Sequence, residues 1–203
     1  EVLLAAYANW GEECQFKFNG DWAFAIWDEY KKKLFISRDR FGEKPLYYIH
    51  NSKYFIFASE LKAFMSLNNS FRPDFDYGFL LWLGYNYGSL NSFLKDVLLL
   101  QPGYQININN NKVKKKKWWS TIDHLVKVPI KYEDQVEQFK ELFFDSCKLR
   151  LRSDVPIGAS LSGGMDSSAV CSVMEQIRKA YISSIKEIKE KYKDQKEFMK
   201  KVA

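Results

Sequence analysis

Short runs of alternating hydrophobic and polar residues, joined by polar turns, fill much of the first part of the chain. Period-two alternation predicts strands, and pairs of such runs around a short polar segment predict hairpins. In the third pair the connecting segment is asparagine-rich, residues 109–111, which favours a tight hairpin turn. The predicted hairpins are Asp21–Asp28 with Leu34–Arg38, Leu46–His50 with Tyr54–Ala58, and Gly103–Ile108 with Lys112–Trp118.

Helical spacing appears between and before these hairpins. Residues 1–10 predict a helix whose face combines Val2, Leu3, Ala6 and Trp10. Ser59 and Glu60 predict the cap of a short helix that runs through Met65. Pro73-Asp74 predicts the start of a further helix that ends at about Leu83.

The pattern changes after residue 120. Thr121–Lys131 has weak periodicity and one proline, so we interpret it as a linker. Tyr132–Leu151 predicts a long helix whose apolar face consists of Val136, Phe139, Leu142, Phe143 and Cys147. Ile157–Leu161 predicts a buried strand, Ser162–Gly164 a turn, and Ala169–Lys179 a helix that residues 166–168 open. The Lys- and Glu-rich residues 182–202 predict a charged helix.

Composition narrows the class of protein. The 203 residues are 46% hydrophobic, which is enough for a core in one or two domains. The net charge of +6 arises mainly from lysine runs beside hydrophilic residues, so we expect solvated surfaces and no nucleic-acid partner. Three cysteines without CxxC spacing favour a reducing, cytoplasmic location. No apolar run reaches membrane-spanning length, so no membrane partner is expected.

The segment from residue 160 to 168 reads Ser-Leu-Ser-Gly-Gly-Met-Asp-Ser-Ser and carries the most specific chemistry. A strand, a glycine turn and a helix N-terminus together form an anion cradle, because first-turn N–H groups lack helical partners. Ser162, Ser167 and Ser168 add hydroxyl donors to that cradle. Asp166 would repel a phosphate unless a divalent cation lay between them, so we interpret it as a Mg²⁺ ligand.

A plain structural interpretation is also open for this segment. Asp166 or Ser167 would then be an ordinary helix N-cap, and Gly163-Gly164 an ordinary turn. Two glycines, three hydroxyls and one carboxylate within seven residues exceed what a cap requires. The spacing does not match a Walker loop, which needs Lys-Ser/Thr after its last glycine. We therefore favour phosphate binding.

Several further motifs occur in a fixed order along the chain. Together with the loop they resemble glutamine-hydrolysing asparagine synthetase, over about residues 1–179. The loop itself resembles the Ser-Gly-Gly-x-Asp-Ser loop of ATP-pyrophosphatases, which grips the β,γ-pyrophosphate of ATP. The motifs are residues 18–28 (FNGDWAFAIWD), 38–48 (RDRFGEKPLYY), 58–63 (ASELKA), 100–103 (LQPG) and 152–158 (RSDVPIG).

The resemblance implies a fold of the α/β and α+β classes in two parts. Residues 1–120 would be part of an N-terminal-nucleophile glutaminase domain with αββα layers. Residues 121–131 would be the linker. Residues 132–203 would begin an ATP-pyrophosphatase domain, which is doubly wound and resembles adenine nucleotide alpha hydrolases.

The resemblance also implies an activity. The family adenylates aspartate with Mg-ATP, and ammonia from glutamine then displaces AMP to give asparagine. ATP, aspartate and glutamine are the expected substrates, Mg²⁺ the cofactor, and a homodimer a possible assembly. The implied ATP-pyrophosphate site comprises Leu161, Ser162, Gly163, Gly164, Asp166, Ser167 and Ser168, with Asp166 holding Mg²⁺.

No glutaminase catalytic residue is expected within this sequence. The family's N-terminal cysteine nucleophile, oxyanion-hole residues and glutamine-binding residues match positions upstream of Glu1, and Cys14 matches none of them. We therefore expect an internal fragment, or a natural remnant, of such an enzyme, and we expect it to be inactive alone. Two alternatives stay open: a related enzyme of the β-lactam synthetase or peptide cyclase type, and a non-catalytic fragment.

Overall fold

The computed structural model describes residues 1–66, 72–82 and 91–202. The chain divides into two compact units, residues 1–125 and 126–203, and each is described by itself. Unit 1 contains α1 (Val2–Trp10), a 3₁₀ helix (Gly11–Lys17), β1 (Ala23–Asp28), β2 (Lys33–Arg38), β3 (Tyr47–His50), β4 (Phe55–Ala58), α2 (Lys62–Met65), α3 (Phe75–Trp82), β5 (Leu98–Leu99), β6 (Tyr104–Asn109), β7 (Lys112–Lys117) and a second 3₁₀ helix (Thr121–His124). Unit 2 contains α4 (Tyr132–Arg150) and α5 (Met165–Val202).

Unit 1 contains two antiparallel sheets. The first has the strand order β1-β2-β6-β7 and the second the order β4-β3-β5. All three predicted hairpins form, as β1–β2, β3–β4 and β6–β7. The two-residue strand β5, which pairs with β3, was not predicted, because two residues are too few to show a period.

Three apolar clusters give unit 1 its layers, because successive strand residues face opposite sides of a sheet. Phe35 of β2 packs with Ala6 and Cys14 on the helical side of the first sheet. The next residue, Ile36, packs with Tyr48 of β3 between the two sheets. On the far side of the second sheet a third cluster joins Ile49, Phe64, Leu94 and Val97. The order is therefore helix, sheet, sheet, helix.

The asparagine-rich turn between β6 and β7 has the geometry that its sequence predicts. Asn109 pairs with Lys112, which leaves a two-residue loop. Asn110 and Asn111 both have positive φ, 48° and 59°. Asparagine tolerates this left-handed region better than most residues, and two such residues form the turn that matches the twist of a hairpin.

Arg38 and Asp39 are each held by backbone groups of the surrounding loops. The Arg38 guanidinium donates to the carbonyl oxygens of Gly42, Lys44 and Leu100. The Asp39 carboxylate accepts hydrogen bonds from the backbone N–H groups of residues 22, 41, 42, 43 and 44. Both side chains fix the loop that leads from β2 towards β3.

Helix starts and faces in unit 1 agree with the sequence only in part. Asp74 caps α3, because its Oδ1 accepts from the Tyr77 N–H at 3.0 Å. The predicted cap at Ser59-Glu60 is wrong: α2 begins at Lys62 and has no side-chain cap bond. Val2 and Trp10 are exposed, and α1 instead packs Leu3, Ala6 and Tyr7 on the core. The predicted end of α3 at about Leu83 lies outside the described residues.

Two of the predictions for unit 2 are wrong. Ile157–Leu161 forms no strand, and Leu161 is 64% exposed. A strand needs a hydrogen-bonded neighbour, and the described part of unit 2 offers none. The two predicted helices after the glycine turn form one helix of 38 residues, α5, because residues 165–203 contain no glycine or proline to interrupt it.

The apolar face predicted for α4 is also largely exposed. Val136, Phe139 and Leu142 are between 47% and 69% exposed, and Cys147 is the buried member of the helix. Within the described residues, none of the helices combines the length and apolarity that a membrane span requires.

Candidate functional site

The turn at Gly163-Gly164 has a backbone shape that requires glycine at its first position. Gly163 has φ +81°, a region that residues with a Cβ rarely adopt, and no heavy atom lies within 4 Å of the place where its Cβ would be. Leu161, Ser162 and both glycines are exposed. A ligand can therefore approach the backbone of this turn closely.

Helix α5 begins directly after the turn. Its first helical hydrogen bond runs from the Ser168 N–H to the Gly164 carbonyl oxygen, at 3.2 Å. The N–H groups of residues 165–167 precede that bond and have no helical acceptor. Aligned peptide dipoles add partial positive charge at this end, which favours an anion by about 0.3–1 kcal/mol. A helix N-terminus after a glycine turn is a recurrent phosphate-binding arrangement.

Three hydroxyl groups surround the same turn. The Oγ atoms of Ser162 and Ser167 lie 3.0 Å apart. Ser167 and Ser168 both donate to the Gly164 carbonyl oxygen, at 3.2 Å and 2.8 Å. Each hydroxyl can rotate and donate to an anion instead, because a hydroxyl hydrogen is free to turn about its C–O bond.

Asp166 lies in the first turn of α5, is exposed, and has no hydrogen bond or ion pair within the described chain. No group of three or more His, Cys, Asp or Glu residues in that part of the chain is positioned to hold a metal. A Mg²⁺ ion at Asp166 would therefore take its remaining ligands from phosphate and water, as Mg²⁺ usually does.

The interpretation of Asp166 or Ser167 as an ordinary N-cap is wrong. An N-cap residue immediately precedes the helix, and that position belongs to Gly164, since α5 starts at Met165. Asp166 and Ser167 lie inside the first turn. Their side chains are therefore not required to start the helix, although acidic residues near an N-terminus favour a helix through its dipole.

Cys14 occupies no reactive environment. It is fully buried in the cluster with Ala6, Ile26 and Phe35. Burial raises the pKa of the Cys14 thiol, which disfavours the nucleophilic thiolate. The buried position agrees with a packing role.

A second set of polar residues was not singled out from the sequence. Glu12, from the 3₁₀ helix, contacts Lys33 and accepts hydrogen bonds from Gln105 and Asn107, both at 2.9 Å. The alternation of polar and apolar residues along β6 gives a signal for it. Gln105, Asn107 and Asn109 alternate with the apolar Tyr104, Ile106 and Ile108, so β6 has one polar face.

Comparisons with known proteins divide the chain in a similar way. The family model described as "Glutamine amidotransferase domain" matches residues 1–119. The model described as "Asparagine synthase" matches residues 138–203. The chain therefore belongs to the glutamine amidotransferase family, and its second part matches the asparagine synthase family.

Individual relatives cover most of this chain. It is 36% identical over 183 residues to asparagine synthetase (glutamine-hydrolyzing) 2 of Bacillus subtilis, and 32% identical over 180 residues to number 3 of that organism. It is 30% identical over 184 residues to an amidase of Gibberella zeae. The alignments include 84–88% of this chain. The chain spans 24–28% of the length of these relatives.

Proposed function

We propose that this chain is part of a glutamine-dependent asparagine synthetase, and that residues 161–168 hold the β,γ-pyrophosphate of ATP. The observation that carries the proposal is the exposed turn at Gly163, with its positive φ, placed directly before the N-terminus of α5. The matches to both family models support the assignment. The helix, sheet, sheet, helix order of unit 1 is compatible with a glutaminase of the αββα type.

The donor set of the loop fits a polyphosphate. Backbone N–H groups of residues 165–167 supply fixed dipoles, and the serine hydroxyls supply up to three more donors. The single carboxylate, Asp166, fits a shared Mg²⁺ better than a direct phosphate contact. Mg²⁺ would supply charge neutralisation for the phosphates at this position.

The proposed reaction has two balanced steps. A carboxylate oxygen of aspartate bonds to the α-phosphorus of ATP, and the bond from that phosphorus to the pyrophosphate oxygen breaks. Ammonia from glutamine then bonds to the acyl carbon, the bond to AMP breaks, and a proton leaves the nitrogen. The loop contributes to the first step, because its fixed dipoles stabilise the negative charge that grows on the departing pyrophosphate.

Turnover is tested in a full-length protein that contains this sequence, because we expect these 203 residues to be inactive alone. That protein is incubated with Mg-ATP, aspartate and either glutamine or ammonium, and asparagine, AMP and pyrophosphate are measured. Equal amounts of all three products support the synthetase assignment. AMP and pyrophosphate without asparagine, when another carboxylate substrate replaces aspartate, would favour a related adenylating enzyme. The relative named as an amidase is the reason to include that arm.

Phosphate binding is tested separately from turnover. Mg-pyrophosphate is titrated into the protein and the loop amides are followed by NMR. Binding at residues 161–168 without turnover would support a fragment that keeps the loop but is not catalytic. The proposal would be overturned if there were neither binding of Mg-pyrophosphate nor turnover.

A further inference from the structure

A cavity of about 400 Å³ lies in unit 1, beside the 3₁₀ helix Gly11–Lys17 and the β6–β7 hairpin. We refer to it as the lysine cavity. Every side chain that lines it is polar or charged, and three of the seven are lysines. The lining residues are Glu12, Lys33, Asn107, Asn109, Asn110, Lys112 and Lys114.

Strand register explains why these residues meet. Lys33 of β2 lies opposite Asn109 of β6, and Asn109 lies opposite Lys112 of β7. Asn107 lies opposite Lys114 in the same way. Residues directly opposite on antiparallel strands face the same side of the sheet. The three lysines therefore lie on the face of the sheet that also contacts the 3₁₀ helix Gly11–Lys17.

The one carboxylate of the cavity is already neutralised. Glu12 forms an ion pair with Lys33, whose side chain is 21% exposed, and it accepts hydrogen bonds from Gln105 and Asn107. Within the described chain, neither Lys112 nor Lys114 has an ion-pair partner. The cavity therefore holds two positive charges in excess of its carboxylate.

The positive charges of Lys33 and Lys114 repel one another. Burial and the charge of Lys114 both lower the pKa of the Lys33 ammonium. An anion placed among the lysines would relieve this repulsion and form charge-assisted hydrogen bonds. The Asn109 and Asn110 side-chain amides can add further N–H donors at the hairpin end.

We propose that the lysine cavity is a binding site for a small dianion of the phosphate class. The alternative is that the lysines only protect the edge strand β7 against pairing with other chains, a common use of edge lysines. Edge protection requires exposed charge along the strand. It does not require Lys33, which lies on β2, or a polar cavity between β2, β6 and the 3₁₀ helix.

The test is a titration of the full chain with inorganic phosphate, followed by ¹H–¹⁵N NMR spectra at constant ionic strength in chloride. We expect saturable shifts of the amides of Lys33, Asn109 and Lys114. Lys114→Gln should weaken phosphate binding at these amides by about tenfold, the effect of losing one charge-assisted contact. Lys116→Gln is the matched control. It removes the same charge from the same exposed face of β7, two residues outside the cavity, and should change the affinity by less than about twofold.

Three results would overturn the proposal. Equal losses in Lys114→Gln and Lys116→Gln would show that phosphate senses only the overall charge of the strand. Shifts confined to residues 161–168, with none at the three cavity amides, would place phosphate only at the loop of unit 2. A chloride titration that reproduces the phosphate shifts would count against the site in the same way.

Discussion

The hydroxyl oxygens of Ser162 and Ser167 lie 3.0 Å apart and join the two ends of the Gly163-Gly164 turn. Ser162 precedes the turn, and Ser167 lies in the first turn of α5. The turn is therefore held by its own side chains directly beside the free N–H groups of the helix. This leaves the Asp166 carboxylate unengaged, so that its effect on binding can be tested by mutation.

Replacing Asp166 should remove the effect of Mg²⁺ on pyrophosphate binding. Asp166→Ala keeps the backbone N–H donors, so weak binding should persist, but adding Mg²⁺ should no longer strengthen it. Asp154→Ala is the control, because Asp154 is also exposed and precedes the turn. Calorimetry with and without Mg²⁺ makes the comparison. A Mg²⁺ effect of wild-type size in Asp166→Ala would assign the ion to other ligands.

Asp39 should be a major source of stability in unit 1. Asp39→Ala leaves five backbone N–H groups without their carboxylate acceptor, and we expect the free energy of unfolding to fall by about 3 kcal/mol. Urea unfolding followed by tryptophan fluorescence measures this effect. All six tryptophans lie before residue 120, so the signal reports on unit 1.

Asp21→Ala is the control for that measurement, because Asp21 is exposed and has no side-chain partner in the described chain. Its effect should stay within about 0.5 kcal/mol. Equal unfolding free energies for the two variants would contradict the role of Asp39 in fixing the loop after β2.

The β6–β7 turn should be sensitive to the residue at position 111. Asn111 has φ +59°, so Asn111→Val should destabilise unit 1 by about 1–2 kcal/mol, because a β-branched residue is strained in the left-handed region. Asn111→Gly should be neutral or stabilising, since glycine adopts positive φ without strain. Urea unfolding of both variants checks the difference. A valine variant as stable as the glycine variant would rule out the turn geometry.

Glu175 should titrate far below other glutamates. Its hydrogen bonds to Arg178 in α5 lower the pKa of the carboxyl from 4.5 to about 2. A lowered pKa in the folded state means that this contact favours α5 above about pH 4.5, and that the benefit is lost as the pH falls towards 2. Carboxyl ¹³C chemical shifts measure the midpoint. Arg178→Gln should return it towards 4.5, and an unchanged midpoint would exclude Arg178 as the cause.

The sequence predicted unit 1 better than unit 2, for a physical reason. Hairpins such as that around Asn110 and Asn111 depend on local turn chemistry and on alternation, both of which are visible in the sequence. Ile157–Leu161 has the composition of a buried strand but depends on strands to pair with, and the described part of unit 2 contains none. Local composition cannot reveal whether a pairing partner is present.

The candidate site, too, was predictable from the sequence only in part. The glycine turn, the hydroxyls and the presence of a helix after the turn were all predictable, because each follows from residue type and order. The position of the helix start at Met165, and the return of the Ser168 hydroxyl to the Gly164 carbonyl, required the structure. The alternation along β6 indicates one polar face, but the lysine cavity also depends on the pairing of β2 with β6, which places Lys33 opposite Asn109. The sequence did not predict that pairing.

The most direct test of the central claim is calorimetric titration of Mg-pyrophosphate into the wild type, Gly164→Val and Gly158→Val. Gly164 is the residue before α5, and a valine there would cover the free N–H groups. Gly158 is a matched control, because nothing lies within 4 Å of its Cβ position and its φ is not positive. The account predicts that Gly164→Val abolishes binding while Gly158→Val binds like the wild type. Equal binding by all three proteins would contradict the assignment of residues 161–168 as the pyrophosphate site.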